Sequence, residues 1–281
     1  MISRRNFLKT SSFVAAGSML LPISCANKAL PGNKKIGVQV YSVRDALQKD
    51  FAGSMKKLAD IGYTYIEAYG MDLEGKLFGM SATEYKKIVS DLGMKLISTH
   101  ATYFTPEQAP KVIAASQEAG IKYLIMPWLS ENMRHDYSRI AENLNQVGEL
   151  FKGTGIKFGY HNHDFEFKKE GGKTPLEILI SETQPELVTF EADLYWVTKG
   201  GTNPMELINK FPGRFSLFHV KDADSKLNQA TVGSGIIDFE TILNNRALAG
   251  MEYYFVEDER TDNPFENLKD SFDYLNASSF A

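Results

Sequence analysis

The chain has 281 residues, of which 43% are hydrophobic and 23% charged, and its formal net charge is −4 at pH 7. These proportions are typical of a soluble globular protein and exclude disordered and fibrous classes. The chain lacks a basic cluster of the kind that follows a nucleic-acid backbone, so we expect no nucleic-acid partner. Its single cysteine, Cys25, rules out an internal disulfide.

The first residues predict export. Ser3–Lys9 (SRRNFLK) resembles the twin-arginine export signal, and the apolar stretch Phe13–Ile23 that follows is too short for a comfortable membrane span. We therefore expect residues 1–26 to be a twin-arginine signal peptide that directs the protein to the periplasm. Lipoprotein processing at Cys25 is the alternative, and it would leave a lipid anchor as the attachment to a membrane.

From Lys34 onward, short apolar runs of strand type alternate with longer amphipathic segments. The predicted strands are Ile36–Val40, Tyr65–Ala68, Lys95–Thr99, Tyr123–Met126, Lys157–His161, Val188–Asp193, Phe215–Val220 and Tyr253–Glu257. The predicted helices lie near Phe51–Ile61, Ser81–Leu92, Thr105–Ala119, Asp136–Thr154, Thr174–Thr183, Pro204–Phe211, Asp238–Leu248 and Pro264–Asn276.

Eight strand–helix units in about 250 residues predict an α/β fold, a (β/α)8 TIM barrel that forms a single domain over residues 34–281. An open, doubly wound sheet is the alternative. That fold normally carries a glycine-rich phosphate loop after an early strand. The corresponding turn here, Tyr41–Arg44, reads YSVR and contains no glycine.

Four of the predicted strands run abruptly into polar residues. The fifth strand leads into Tyr160–Phe167 (YHNHDFEF), and the later strands end in Phe190–Asp193, Leu217–Asp222 and Tyr253–Asp258. Buried polar groups are costly unless something binds them, and the carboxyl ends of barrel strands carry the active site. We expect these ends to converge on one divalent metal ion. Nitrogen and carboxylate ligands without cysteine suit Mn²⁺, Co²⁺, Zn²⁺ or Mg²⁺ and do not select among them.

The histidines support a shared site. Of the five histidines, only His135 lies away from a predicted strand end. Those at or just past strand ends are His100, His161, His163 and His219. A packing role is the more common explanation for any one of them, but their common placement favours a functional cluster. Asp193 and Glu257 occupy the matching places on their own strands.

The same segments carry a family resemblance. Tyr160–Phe167, Glu191–Val197 (EADLYWV), Phe218–Asp222 (FHVKD) and Phe255–Glu257 (FVE) resemble the sugar phosphate isomerase/epimerase family with the xylose-isomerase-like TIM barrel. The resemblance extends from Ile36 to about Leu275 and is weakly specific for substrate. It implies one metal ligand from each of strands five to eight: His161, Asp193, His219 and Glu257.

The resemblance implies a metal-dependent isomerase or epimerase that acts on a sugar or keto sugar through an enediolate, with Glu257 carrying the proton. Relatives that interconvert ketosugars have glutamate where this chain has His161, so Glu166 becomes the candidate for a second carboxylate. The presence of His161 in place of glutamate also favours the alternative of a hydratase or lyase acting on a 3-keto sugar. A non-catalytic carbohydrate-binding lipoprotein and a phosphoesterase of the related endonuclease type are further alternatives.

Other residues are expected to contact the substrate. Lys221 lies on the same side of its strand as His219 and could bind a substrate oxygen or the enediolate, with a salt bridge to Asp222 as the alternative. The expected substrate-binding residues are His100, His163, Glu67, Trp128 and Trp196, because aromatic faces cover sugar C–H surface and the others fit the resemblance. For His163, a role as a partner that orients a metal ligand is the alternative.

Phosphate recognition stays open from the residues alone. Gly233–Gly235 (GSG) lies where barrels often bind phosphate, although it is weak as a motif. Export favours an unphosphorylated sugar, because phosphorylated sugars are chiefly cytoplasmic. Asp238 is expected to be the N-cap of the following helix.

Overall fold

Eight parallel strands close into a barrel in the computed structural model, which describes residues 34–169 and 172–281. We number them β1 Gly37–Gln39, β2 Tyr65–Met71, β3 Lys95–Ala101, β4 Tyr123–Met126, β5 Lys157–His161, β6 Thr189–Asp193, β7 Phe215–Val220 and β8 Tyr253–Val256. Each strand pairs with the next, and β8 pairs with β1. The predicted TIM barrel is confirmed. The expected leader, with Cys25, lies outside the described residues.

The strands are connected mainly by α-helices. Within the described residues these are Arg44–Lys49, Phe51–Ile61, Ala82–Asp91, Ala109–Ala119, Tyr137–Leu150, Pro175–Glu182, Leu194–Lys199, Pro204–Lys210, Phe239–Asn244, Arg246–Ala249 and Pro264–Ala277. Arg44–Lys49 and Leu194–Lys199 were not predicted from the sequence. The predicted helix over Asp238–Leu248 is divided in two, and Asp238 is its N-cap as expected, since its side chain accepts from Thr241 N at 3.0 Å.

A layer of apolar side chains fills the barrel interior. Its buried members are Ile97, Tyr123, Ile125, Leu217 and Phe255. Leu217 and Phe255 lie two residues before His219 and Glu257, so they point to the same face of their strands. The ring of Phe255 packs so close to β1 that a Cβ on Gly37 would lie 2.5 Å from it. A closed apolar layer therefore supports the polar residues at the strand ends.

The described residues, from Lys34 to Ala281, belong to one compact unit. In the described part of the chain, none of the helices is both long and apolar enough to cross a membrane. Two short antiparallel hairpins decorate the barrel, Lys76–Leu77 with Met80–Ser81 and Asp222–Ala223 with Gln229–Ala230. The second hairpin follows β7 directly and adjoins the strand ends discussed below.

Candidate active site

Strand register brings the polar strand ends together. In the sheet His161 on β5 lies opposite Glu191 on β6, and Asp193 on β6 lies opposite His219 on β7. Glu257 directly follows β8, whose residue Phe255 lies opposite His219. All five of the polar side chains are buried. The barrel thus concentrates imidazoles and carboxylates in one small, buried volume.

One side of the His219 ring is fixed by carboxylates deep in the barrel. His219 Nε2 lies 2.6 Å from Glu67 Oε2 and 3.3 Å from Glu191 Oε2. Glu67 is itself oriented, because its Oε2 accepts a hydrogen bond from Gln39 Nε2 at 3.0 Å. Both neighbours of Nε2 are carboxylate oxygens, so this nitrogen is placed to donate a hydrogen bond to Glu67. With Nε2 donating to Glu67, Nδ1 is the nitrogen left to coordinate a metal.

The other side of the ring faces two more carboxylates. His219 Nδ1 lies 3.0 Å from Glu257 Oε2 and 3.6 Å from Asp193 Oδ2. Lys221 Nζ lies 3.0 Å from the same Glu257 oxygen and 3.5 Å from the same Asp193 oxygen, and it also contacts Glu259. We name Asp193, His219 and Glu257 the outer group, and their ligand atoms lie within 4.8 Å of one another.

Charges dominate the outer group. Burial alone would raise the pKa of Glu257, but the ammonium of Lys221 and the His219 ring hold that pKa well below its usual range. Burial opposes protonation of His219, yet the carboxylates of Glu191 and Glu257 raise its pKa well above the ordinary value. In the absence of another cation the outer group thus favours a proton on His219 and a charged Lys221.

A second set of side chains, the inner group, shares His219. It comprises His100, His161, Glu191 and His219, whose ligand atoms also lie within 4.8 Å of one another. His100 Nε2 lies 2.7 Å from Glu191 Oε2. His161 Nδ1 lies 3.3 Å from that oxygen but has no hydrogen-bond partner in the described chain. Burial, followed by the charge on His219, lowers the pKa of His161, which favours the neutral imidazole that a metal requires.

The residues present suit a divalent cation. Four carboxylates here are 6% exposed or less, namely Glu67, Glu191, Asp193 and Glu257, and Lys221 pairs with only two of them, Asp193 and Glu257. One oxygen each of Glu67 and Glu191 is buried without a hydrogen-bond partner among the described residues. Buried carboxylates of this kind require compensation by charge. Histidine and carboxylate donors at this spacing therefore make up a potential metal-binding group.

A cavity of about 580 Å³ opens beside these groups. Four of the five residues predicted to contact substrate line it: His100, Trp128, His163 and Trp196. Trp128 is 48% exposed, so much of its ring remains available to a ligand. His163 is half-buried and packs against the rings of Trp128 and Trp196, and desolvation of its ring lowers its pKa well below the usual value. The fifth, Glu67, is fully buried and contacts His219 and Gln39 instead of the cavity.

Glu166 contacts neither the outer group nor the inner group. Tyr160 Oη donates to Glu166 Oε1 at 2.5 Å, and the backbone N–H of His163 donates to Glu166 Oε2 at 2.9 Å. Burial raises the pKa of Glu166 to about 7. The loop after β5 turns this side chain back onto Tyr160, so a catalytic role for Glu166 has no geometric support.

Lys221 is placed differently from either expectation. It is 1% exposed and bonded to three carboxylates, while Asp222 accepts hydrogen bonds from backbone N–H groups and forms no pair with it.

Sequence reasoning missed Glu191 and Glu259. Glu191 could have been found, because it lies two residues before Asp193 and hence on the same face of β6. Glu259 lines the cavity and contacts Lys221.

Comparisons with known proteins agree with this architecture. A family model described as xylose isomerase-like TIM barrel matches residues 55–278. A sugar phosphate isomerase/epimerase from Parabacteroides distasonis is 30% identical, with a TM-score of 0.79 over 92% of this chain and 99% of that one. An inosose dehydratase from Lacticaseibacillus casei is 24% identical over 64% of this chain and 68% of its own length.

A more distant solved structure, the IolI protein with a bound zinc atom, shares the fold. It is 15% identical, with a TM-score of 0.65 over 88% of this chain and 99% of that one. The family match covers residues 55–278, which include most of the barrel and every member of the outer and inner groups. The chain therefore belongs to the xylose isomerase-like TIM barrel family.

Proposed function

We propose that this protein is a divalent-metal-dependent enzyme that isomerises or epimerises a sugar or keto sugar through an enediolate. The observation that carries the proposal is the orientation of His219. Its Nε2 contacts Glu67, and its Nδ1 faces Glu257 and Asp193. In metal sites, a carboxylate commonly accepts a hydrogen bond from the ring nitrogen of a ligating histidine that does not bind the metal. The sugar phosphate isomerase/epimerase that is 30% identical supports the reaction class.

The outer group, Asp193, His219 and Glu257, would hold the metal, with His161 as the fourth ligand implied by the family resemblance. When bound, such an ion stabilises negative charge on adjacent substrate oxygens. The donor set suits Mn²⁺, Co²⁺, Zn²⁺ or Mg²⁺. The zinc of IolI is consistent with this range.

Glu257 is the proposed proton carrier. It lines the cavity, and Lys221 Nζ lies 3.0 Å from its Oε2, so its carboxylate form is stabilised at neutral pH. A carboxylate beside the cavity can remove a proton from the carbon next to a ketone. Lys221 then acts by holding the charge of Glu257 and Glu259. The neutral His163 lines the cavity and is the proposed contact for a substrate hydroxyl; its buried Nδ1 has no partner among the described residues.

The second candidate is a hydratase or lyase acting on a 3-keto sugar or a related derivative. Here the same proton abstraction is followed by loss of a β-hydroxyl group. His161 stands where ketosugar-interconverting relatives have glutamate, which removes a second base from that position. The match to inosose dehydratases supports this candidate.

We further propose that the protein is exported by the twin-arginine route and binds its carbohydrate substrate in the periplasm. The support is the Ser3–Lys9 motif and the apolar stretch behind it. Lipid attachment at Cys25 is the alternative to cleavage after residue 26.

Solvent deuterium exchange tests the proposal. Metal-loaded protein would be incubated with free and keto sugars in D₂O, with chelator-treated protein as the control. We expect metal-dependent deuterium uptake at the carbon next to a ketone, and mass spectrometry would separate isomers from products that have lost water. Binding of a sugar without any exchange would instead identify a carbohydrate-binding protein and overturn the proposal.

A further inference from the structure

A buried ammonium contacts the same two oxygens of the outer group as His219 does. Lys221 is 1% exposed, and its Nζ lies 3.0 Å from Glu257 Oε2 and 3.5 Å from Asp193 Oδ2. His219 Nδ1 lies 3.0 Å and 3.6 Å from these same oxygens. The other oxygen of Asp193, Oδ1, accepts from Trp196 N at 2.8 Å, which leaves Oδ2 as the oxygen that can bind an ion. An ion held by the outer group would therefore share its oxygens with an ammonium.

Two cations that share these oxygens disfavour each other. An ammonium bonded to three carboxylates keeps its proton, and like charges a few ångströms apart repel strongly where water is excluded. The ammonium of Lys221 is also confined, because it lies 5.5 Å from the ring centroid of Tyr195 and 5.0 Å from that of Trp196. Lys221 should therefore oppose the binding of a divalent ion rather than support it.

Glu259 offers Lys221 a carboxylate that does not belong to the outer group. Its Oε1 contacts Lys221 Nζ, and its side chain is 29% exposed at the cavity wall. The backbone of Glu259 is held on both sides. Its N–H donates to Gln229 Oε1 at 2.8 Å, and its carbonyl oxygen accepts from Arg44 Nη2 at 3.0 Å. A firmly placed carboxylate can thus keep Lys221 when a divalent ion takes the oxygens of the outer group.

We propose that Lys221 is a built-in counter-cation that lowers the affinity of the outer group for a divalent ion, and that Glu259 is the positioning residue that holds Lys221 while the ion is bound. The inference rests on the proposed function in that it places the ion in the outer group, but it does not depend on the reaction. Its consequence is a difference in sign. Removing a residue that supports a metal ligand weakens metal binding, whereas removing a competing cation strengthens it.

Titration with Mn²⁺ by calorimetry tests that sign. Lys221→Met removes the ammonium and keeps an unbranched side chain, so this variant should bind Mn²⁺ at least about tenfold more tightly than the parent protein. The matched control is Lys199→Met, because Lys199 lies over the rings of Tyr195 and Trp196 but is exposed and donates to Tyr195 Oη at 3.2 Å. It should bind Mn²⁺ with the parent affinity. Unchanged or weaker binding by Lys221→Met would overturn the proposal.

Thermal unfolding covers the case in which loss of the ammonium destabilises the protein. Without Lys221, the carboxylates of Asp193 and Glu257 lose their counter-charge, so the variant should melt below the parent protein when no ion is added. Saturating Mn²⁺ should raise its melting temperature by at least about 2 °C more than it raises that of the parent. A variant that stays unfolded in saturating Mn²⁺ would also overturn the proposal, because the ion should supply the missing charge.

A double-mutant cycle tests the role of Glu259. Glu259→Gln should weaken Mn²⁺ binding by at least about threefold, because Lys221 then has only the oxygens of the outer group as partners. The same change made in Lys221→Met should cause a smaller loss. Equal losses in the two backgrounds would show that Glu259 acts only through its own charge, and would overturn its part of the proposal. A failure of deuterium exchange with every sugar would defeat the proposed reaction, while the order of these affinities would still decide the inference.

Discussion

Replacing Glu67 by glutamine isolates the carboxylate behind His219. Glu67 is fully buried, and its Oε2 lies 2.6 Å from His219 Nε2 and 3.0 Å from Gln39 Nε2. The substitution keeps the shape of the side chain but removes its charge. A charged acceptor forms a hydrogen bond roughly twice as strong as a neutral one. The substitution should therefore leave the His219 ring less firmly oriented and its coordinating nitrogen less basic.

The expected loss of metal affinity can be estimated. Removing the partner of a metal-ligating histidine typically costs about 10- to 100-fold in metal affinity, or about 1.4 to 2.7 kcal/mol. The metal-free protein should behave differently. Burial and the neighbouring Glu191 raise the pKa of Glu67, so its charge is unfavourable in the folded state. Glu67→Gln should therefore leave the metal-free protein as stable as the parent or more stable.

The assay is metal titration by calorimetry, paired with thermal unfolding of the metal-free protein. Glu166→Gln is the matched control, because Glu166 is equally buried but contacts Tyr160 and His163 rather than the outer or inner group. It should retain parent metal affinity. Parent affinity in Glu67→Gln, or an equal loss in both variants, would refute the role given to Glu67.

Two further predictions address the metal ligands and the leader. Asp193→Ala and His219→Ala should each weaken binding of the divalent ion by at least about tenfold, because each removes a ligand from the outer group; stoichiometric metal in both variants by elemental analysis would show that the assignment is wrong. Replacing Arg4 and Arg5 by lysine should leave the protein in the cytoplasm, as judged by cell fractionation, and unchanged periplasmic delivery would contradict the twin-arginine prediction.

The fold could be predicted because its signal is local. Each strand is a short apolar run, and each predicted helix follows such a run, so the count of eight units was available from the sequence. The helix Leu194–Lys199 was missed because it begins directly at the end of β6. Asp193 ends the strand and caps the helix, with its Oδ1 accepting from Trp196 N at 2.8 Å. One polar residue with both roles leaves no visible gap between the elements.

Site residues could be predicted only where a side chain that can bind a metal or carry a proton lies at the end of a strand. His161, Asp193, His219 and Glu257 satisfy that condition, and the structure brings His219 against Asp193 and Glu257. Glu191 lies inside its strand, and its contact with His100 on β3 depends on the closure of the barrel.

The loop after β5 sets a different limit. The sequence places Glu166 close to the strand end, but its direction depends on the turn between them. That turn brings its carboxylate within hydrogen-bonding distance of Tyr160 and of the backbone of His163. Sequence distance from a strand end is therefore a poor guide to the orientation of a loop side chain.

The most direct test of the account is solvent deuterium exchange by Glu257→Gln. The amide can still coordinate a metal through its oxygen, but it cannot accept a substrate proton. The variant should therefore retain metal by elemental analysis and lose about a hundredfold or more of both deuterium exchange and turnover, the usual worth of positioned acid–base catalysis. A variant that retains its metal and exchanges deuterium at the parent rate would show that Glu257 is not the proton carrier.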